Sequence, residues 1–458
     1  MPGFPRGCAA IALAGLAACL DIPPYRPCGD GDRDCDGWPA VGVNPMASDC
    51  DDDNVLVNPG AEDDPGTTAI EDCFGGPVGA GLAPVVPVTA GWQVGELTLE
   101  FASASGMPSG LRFGNAEILA GNPDACVRDE RMAGISLYPA FGVDHASLQA
   151  GTASAVRGGP ALAATQVSWA QDVPMATTGF GCDVATRVTG TIDFTIQPSG
   201  RVVRRDRVTV SAGVAACAGC ADTDGNPPIF TSYLTFSPEL ERYQVEPAVT
   251  STVFPVAGTA ADLPAPSAPV VGCVSGATAA SPSVGLAWRF PTPSAGMRAR
   301  TTGDTRVNHA MVVDWVNGGA LAAGTYELIT ALAVEREGVV DCSVALRTAM
   351  AEFARPPTLT PTSFVAERGT YRYTGDEGVG IMITADQGVA GGAVLEVPNA
   401  SERGVTVWRG SGAAFTRLRR GQDYLLQLEA DRTAVIYLPA LVVGTAIVVS
   451  GPGGEPPP

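Results

Sequence analysis

The chain contains no lysine. All 28 basic residues are arginine, set against 48 acidic ones, for a formal net charge of −20. A nucleic-acid partner is therefore not expected, because backbone phosphates need a basic surface. A phosphate-cradling glycine loop ending in lysine is excluded outright. Histidine is nearly as scarce. With only His145 and His309, a three-histidine metal site within this chain and the HExxH zinc helix are both ruled out. No G-x-S-x-G nucleophile elbow occurs, so the familiar hydrolase motif is missing. Long apolar runs are missing too. Ala9–Ala18 falls far short of the ~20 residues that span a bilayer. Ala434–Val449 is broken by Pro439 and Gly444 and is β-branched, which reads as strands. Helical periodicity over three or more turns is hard to find, and Ser343–Phe353, including Ala349–Ala354, reads as a strand.

What remains is a chain of 458 residues that is 45% hydrophobic, enough for a packed core and about two to four domains. Residues 1–18 read as an export signal, with Arg6 as the basic region and Ala9–Ala18 as the apolar one. The run ends in Leu16-Ala17-Ala18-Cys19, which resembles a bacterial lipobox. That resemblance implies cleavage before Cys19 and diacylation of its sulfur, hence an exported outer-membrane lipoprotein on the periplasmic or the surface face. Leu20 after the cysteine favours the outer membrane. Of 12 cysteines, Cys8 leaves with the signal and Cys19 carries lipid. The other ten, an even number in an exported protein, read as up to five disulfides whose connectivity the sequence does not give. Cys28–Cys35 and Cys50–Cys73 are local options. Cys217-Ala-Gly-Cys220 fits a small structural disulfide better than half a zinc site, because no second CxxC accompanies it.

Residues 20–73 hold 14 acidic residues against Arg26 and Arg33. Such a segment stays disordered unless something neutralises it. Two motifs suggest what does. Asp30, Asp32, Asp34 and Asp36 alternate before Gly37, as in the first half of a D-x-D-x-D-G calcium loop, where alternate carboxylates in a tight turn point inward and glycine permits the reversal. The best register starts at Asp32. Val43 stands where an EF-hand has its bidentate glutamate, so the remaining oxygens must come from elsewhere. Asp49, Asp51, Asp52 and Asp53 follow, then Asn58-Pro59-Gly60-Ala61-Glu62.

This succession resembles the MopE-like metal-binding repeat of myxobacterial surface proteins: an aspartate ladder ending in glycine, D-C-D-D, a short apolar strand into N-P-G-A, and a closing cysteine, here Cys73. The resemblance covers about 45 residues. It departs from the pattern at Glu62, one residue early, and at Phe74, where the closing acidic residue is missing. It implies a metal site drawn from Asp30, Asp32, Asp34, Asp36, Asp49, Asp51, Asp52, Asp53, Asn58 and Glu62. The all-oxygen donor set selects calcium over copper: the thiols are read as oxidised, and the segment then offers only Met46 as a soft ligand. The alternative is a plain acidic spacer.

From about residue 84 the composition turns to Val, Thr, Ala, Gly and Pro, with alternating segments between turn signals. Thr191–Ile196, the turn Gln197-Pro198-Ser199-Gly200 and the return strand Arg201–Val210 predict a hairpin with Ile192, Phe194, Ile196, Val208 and Val210 inward and the arginines outward. Residues 188–212 faintly resemble sheets of mutarotase-like supersandwich domains in carbohydrate enzymes. The reading is all-β: tandem antiparallel β-sandwich domains preceded by a small irregular acidic metal-binding segment. The parts are a signal (1–18), the acidic segment (19–78), a sandwich (79–255), a sandwich continuous with it or separate (271–356), a C-terminal sandwich (357–451) and a disordered tail (452–458).

Catalytic patterns are thin. Asp144-His145 reads as a loop hydrogen bond. Asn308-His309 with Arg298, Arg300, Arg306 and Tyr326 has the residue types of a polysaccharide lyase, in which a cation or amide neutralises a uronate and His or Tyr takes the proton. Asp222-Thr-Asp224-Gly225-Asn226 reads as a plain loop, with a second weak calcium turn as the alternative. Trp169, Trp288, Trp315 and Trp408 could line a sugar platform, though such residues more often sit in cores. The favoured function is a lipid-anchored cell-envelope binding or structural protein with a calcium-binding acidic stalk. The alternatives are a carbohydrate-active lyase or hydrolase, and an adhesion or surface-assembly protein. Partners are outer-membrane lipid through Cys19, and carbohydrate or another surface protein.

Overall fold

The computed structural model describes residues 32–33, 51–54 and 57 of the acidic segment and most of 81–451. Within the latter span it omits 90, 102–107, 120–133, 138–151, 176–183, 211–228, 249, 256–259, 264–268, 279–280, 292–297, 304–308, 318–322, 337–341, 376–379, 401–404 and 413. The chain divides into two compact units. One is Met1–Val78 with Pro452–Glu455, and the other is Gly79–Gly451 with Pro456–Pro458.

The described part of the larger unit is β throughout, apart from the helix Val344–Ala354, and forms four sheets. The first, of ten strands, runs from Val86–Val88 through Gly91–Val94, Leu97–Phe101, Pro108–Phe113, Ala116–Leu119, Ile229–Phe236, His309–Asn317 and Arg298–Gly303 to Ala260–Asp262, with Gly134–Leu137 paired to Ile229–Phe236. The second, of nine, orders Thr252–Val253, Arg242–Val245, Val270–Ser275, Ser283–Arg289, Gly324–Glu335, Val202–Val210, Val184–Ile196, Ala163–Met175 and Thr152–Arg157. Both draw strands from either side of residues 256–270, and Gly324–Glu335 joins the two halves of the second sheet by pairing with Ser283–Arg289 and Val202–Val210.

The core between these sheets follows the period-2 rule of strands. Leu99, Leu111, Phe236, Met311 and Val313 from one sheet share a cluster with Val167, Phe194, Val202, Val208, Leu286 and Leu332 from the other. The predicted hairpin is present, with Ile196 opposite Val202 and Phe194 opposite Arg204. One expectation fails here. Arg204 has the parity of Val202 and Val208, so it points inward while Arg205 and Arg207 reach Glu327 on the outer face. Arg204 is tolerated because its Nε donates to both carboxylate oxygens of Asp206, at 2.9 and 3.0 Å, and its guanidinium lies 5.5 Å from the centroid of the Phe194 ring. Both residues are buried. Burial pushes the Asp206 carboxyl up while Arg204 pulls it down, the balance required of a charge pair withdrawn from water.

A second expectation also fails: Ser343–Phe353 is not a strand. Ser343 caps the helix Val344–Ala354 by accepting from the Leu346 backbone N–H at 2.9 Å, and its own hydroxyl donates to Glu335 at 2.8 Å. Leu346, Met350, Phe353 and Ala354 form one buried stripe. That is helical spacing, and it lies on the outer face of the nine-stranded sheet against Val203, Val271, Ala287, Ile329 and Ala331. Gly285 permits the approach, since a Cβ there would stand 2.7 Å from Met350 Cγ and 2.8 Å from Leu346 Cγ. A disulfide from Cys273 to Cys342, with a Cα separation of 6.3 Å, fastens the helix start to the sheet.

The last two sheets, of five strands each, make a second sandwich. One orders Leu359–Thr360, Ile381–Ala385, Ala446–Ser450, Thr406–Ser411 and Ala414–Arg417. The other orders Thr362–Val365, Thr370–Tyr373, Ala393–Val397, Ala434–Leu438 and Leu425–Leu428. The pair Thr370–Tyr373 with Ala393–Val397 is parallel. This sandwich is bound to the first by side chains that satisfy backbone groups. Gln197 donates to the carbonyls of Arg368 and Gly369 at 2.9 and 3.0 Å, and Arg201 donates to that of Gly391 at 3.2 Å. Glu352 on the helix accepts from the N–H groups of Ala390 and Gly391 at 2.8 and 2.9 Å. Beside these bonds, Ala161 and Leu162 pack on Val394, Leu425 and Val435.

Replacing Cys273 and Cys342 together by alanine opens a link spanning 69 residues of sequence and should lower stability by about 3 kcal/mol. The loss would be read from the urea midpoint with β-sheet circular dichroism unchanged. An unmoved midpoint would deny the disulfide a stabilising role.

Candidate functional site

In the acidic unit the two motifs meet. The Arg33 backbone N–H, inside the aspartate ladder, donates to Asp52 Oδ1 at 3.0 Å. Its guanidinium reaches Asp53 at 3.1 and 3.2 Å. Asp51 opens a turn in which its carbonyl accepts from the Asn54 N–H at 2.8 Å, and the Asn54 carbonyl accepts from that of Val57 at the same distance. Asp32 is 8% exposed, although Asp30, Asp34 and Asp36 stand close to it in sequence. Residues about twenty positions apart are thus side by side, as required if the ladder and the D-C-D-D turn are to share one ion. The donor chemistry suits calcium: carboxylate oxygens, with Asp32 withdrawn from water. Asp53 fits less well, because a guanidinium already neutralises it. Among the described residues no group of three or more His, Cys, Asp or Glu is gathered as a metal would need. Asp30, Asp34, Asp36, Asp49, Asn58, Glu62 and Cys19, the residue expected from the sequence to carry lipid, lie outside the described residues.

The lyase constellation is not brought together among the described residues. His309 opens a strand of the ten-stranded sheet opposite Phe236 and Gly303, and its ring stacks on Phe254 with centroids 4.8 Å apart. Burial pushes the imidazole below its ordinary value, against the pull of Glu241, and its buried Nδ1 has no hydrogen-bond partner among the described residues. Tyr326 stands on the other sheet, opposite Val208, packed against the core. Arg306, Asn308, Asp144, His145, Cys217, Cys220, Asp222 and Asp224 lie outside the described residues, as do the side chains of Arg298 and Arg300.

Of the two readings of the tryptophans, burial rather than a sugar platform holds at the two described side chains. Trp288 is 1% and Trp408 3% exposed, so neither offers a face to a ligand. Trp288 belongs to the core between the two large sheets, and Trp408, buried on the face opposite Val407, donates its indole N–H to the Ser450 hydroxyl at 3.3 Å. The side chains of Trp169 and Trp315 lie outside the description.

A cleft that the sequence reading did not single out lies where the helix Val344–Ala354 overhangs the strand Arg242–Val245. It has a volume of about 200 Å³ and is lined by Gln244, Glu246, Val271, Gly272, Arg347 and Thr348, among others. Glu246 pairs with Arg355 at 2.7 Å at one end. The helical stripe 344, 347, 348, 351 could have indicated one wall. The opposite wall comes from about a hundred residues away and follows only from sheet order.

No family model matches the chain, and no curated protein does. Among solved structures, this chain matches a galactose 1-epimerase from Lactobacillus acidophilus NCFM at 8% identity over 54% of this chain and 94% of that one, TM-score 0.32. A GalM/aldose epimerase homologue from C. elegans matches at 9% identity over 56% and 99%, TM-score 0.27. An alpha-mannosidase from Enterococcus faecalis V583 matches at 9% identity over 75% and 41%, TM-score 0.36.

The depressed His309 pKa fixes the sign of a pH effect. On acidification the unfolded chain takes up the proton first, so the stability contribution is complete above the ordinary histidine value and is lost as pH falls through it towards the lower folded value. Melting from about pH 7.5 to about pH 5 should show a steeper acid loss in the wild type than in His309→Gln. Parallel curves would contradict the burial argument.

Proposed function

We propose that this chain is an exported, lipid-anchored cell-envelope protein whose acidic N-terminal segment is a calcium-bound stalk and whose β unit is the binding or structural body. The observation that carries this reading is the contact of Arg33 with Asp52 and Asp53 beside the buried Asp32. A segment so acidic has no apolar core to fold around, and a hard divalent cation is the compensation its chemistry allows. Asp32 and Asp52, with the rest of the ladder, would hold the ion; calcium would neutralise the carboxylates and fix the turn. An oxidising compartment agrees with the Cys273–Cys342 disulfide, since such bonds persist outside the cytosol. The anchor is the acylated sulfur of Cys19, and two or more acyl chains hold a protein firmly at a membrane.

Calorimetry on the chain from Leu20, after chelation, should give saturable heat at about 0.1–1 mM calcium, the range of extracellular modules. An Asp32→Asn, Asp51→Asn, Asp52→Asn variant should lose it. Equal heat from both proteins would sink the assignment, and no heat from the wild type would leave a charged tether. Separately, Cys19→Ser should move the protein from the membrane to the soluble fraction. Retention of the variant with the membrane would overturn the anchor.

A further inference from the structure

The cleft beside the helix has a chemistry of its own, separate from the acidic segment. Its apolar floor is Val271 and Gly272, with Ala248 and Ala351 at the sides. Its polar groups come from two directions: Gln244 and Glu246 from the sheet edge, and Arg347 and Thr348 from the helix. At about 200 Å³ it holds roughly seven waters' worth of space, below the ~300–1,000 Å³ of pockets for drug-sized ligands. One six-membered ring with its substituents is the matching size.

The charges in the cleft do not cancel. The Glu246 carboxylate is engaged by Arg355 at 2.7 Å. Arg347 spends only its Nε, on a long 3.4 Å bond to the Ser343 carbonyl, and its two terminal nitrogens have no partner among the described residues. A half-buried, uncompensated guanidinium is notable on a chain of net charge −20. Gln244 is 5% exposed and donates through Nε2 to the Ala248 carbonyl at 2.7 Å. That bond fixes the amide and leaves its oxygen to accept. Thr348 adds a hydroxyl at the rim.

We propose that this cleft binds a single sugar acid. The Arg347 fork takes the carboxylate, the geometry for which guanidinium is suited. Gln244 Oε1, the Thr348 hydroxyl and the outer lone pairs of Glu246 take ring hydroxyls, and the C–H face of the ring lies on Val271, Gly272 and Ala351. A neutral sugar would leave Arg347 without a partner. A doubly charged sugar phosphate would meet one free guanidinium with the Glu246 carboxylate facing it. This site is independent of the calcium reading, and chelation should leave its affinity unchanged.

The test is calorimetry of the full chain with galacturonate and glucuronate, with galactose and acetate as comparators. One or both uronates should bind, galactose and acetate at least tenfold more weakly. Arg347→Gln should lower uronate affinity at least tenfold and bring it to that of galactose, while Ala351→Leu, which fills the cleft without touching a charge, should abolish binding. Both variants should melt with the wild type. Equal binding of galactose and uronate by the wild type would overturn the proposal whatever the variants do. So would uronate binding indifferent to both substitutions, or no heat from either uronate up to about 10 mM.

Discussion

The nine-stranded sheet is apolar on its inner face and, around Val271, Ala287 and Ala331, on its outer face as well, and that constraint organises the larger unit. Val270–Ser275 is buried along its whole length, and Ser283–Arg289 at every position but the last. Inward residues meet the ten-stranded sheet. Outward ones such as Val271, Cys273, Ala287, Ile329 and Ala331 would face water if nothing covered them. Each Å² of that apolar surface withdrawn from water contributes about 25 cal/mol. The helix Val344–Ala354 is that cover. Glu352 and Phe353 then carry the contact onward, the first to backbone N–H groups at Ala390 and Gly391 and the second to the Phe364 ring. The second sandwich completes the burial, and the ion pairs at the seam follow from it. Arg368, Thr370 and Arg157 surround Glu396, which is 1% exposed, because a carboxylate enclosed by that docking must be neutralised where it lies.

Fold class was legible because strands declare themselves by parity. Thr191–Ile196 and the return strand alternate cleanly enough to give their hairpin and its inward residues. The same rule, followed strictly, would have placed Arg204 inside. Treating every arginine as outward hid it, and Asp206, two residues on and of the same parity, was the clue. The helix was missed for a different reason. Its stripe of Leu346, Met350 and Phe353 spans only three turns and is interleaved with alanines that fit either structure. What decides for helix is the cap at Ser343 and the apolar sheet beneath, which is tertiary information. Tryptophan was ambiguous because burial and ligand stacking use the same residue type.

The candidate sites divide along the same line. The acidic motifs are local, and their sequence order already implied that they could meet; the Arg33 contacts put two of them side by side. The helix cleft is non-local. Gln244 and Arg347 are ordinary polar residues until sheet order sets Arg242–Val245 beside Val270–Ser275 and the helix falls across both. Nothing in either stretch alone marks a site.

Gly324–Glu335 has a consequence for how the chain is made. It is the last of the nine strands of its sheet in order of synthesis: Val202–Val210 and Ser283–Arg289 both precede it, and it alone pairs with both. Until it emerges, the chain already made holds two half-sheets, each with an open inner edge. Until the residues after 343 follow, their outer faces are also bare. Open edges and bare apolar faces are where chains associate wrongly. The nine-stranded sheet can close only once residues 324–335 are available, so its completion is late by the strand order itself.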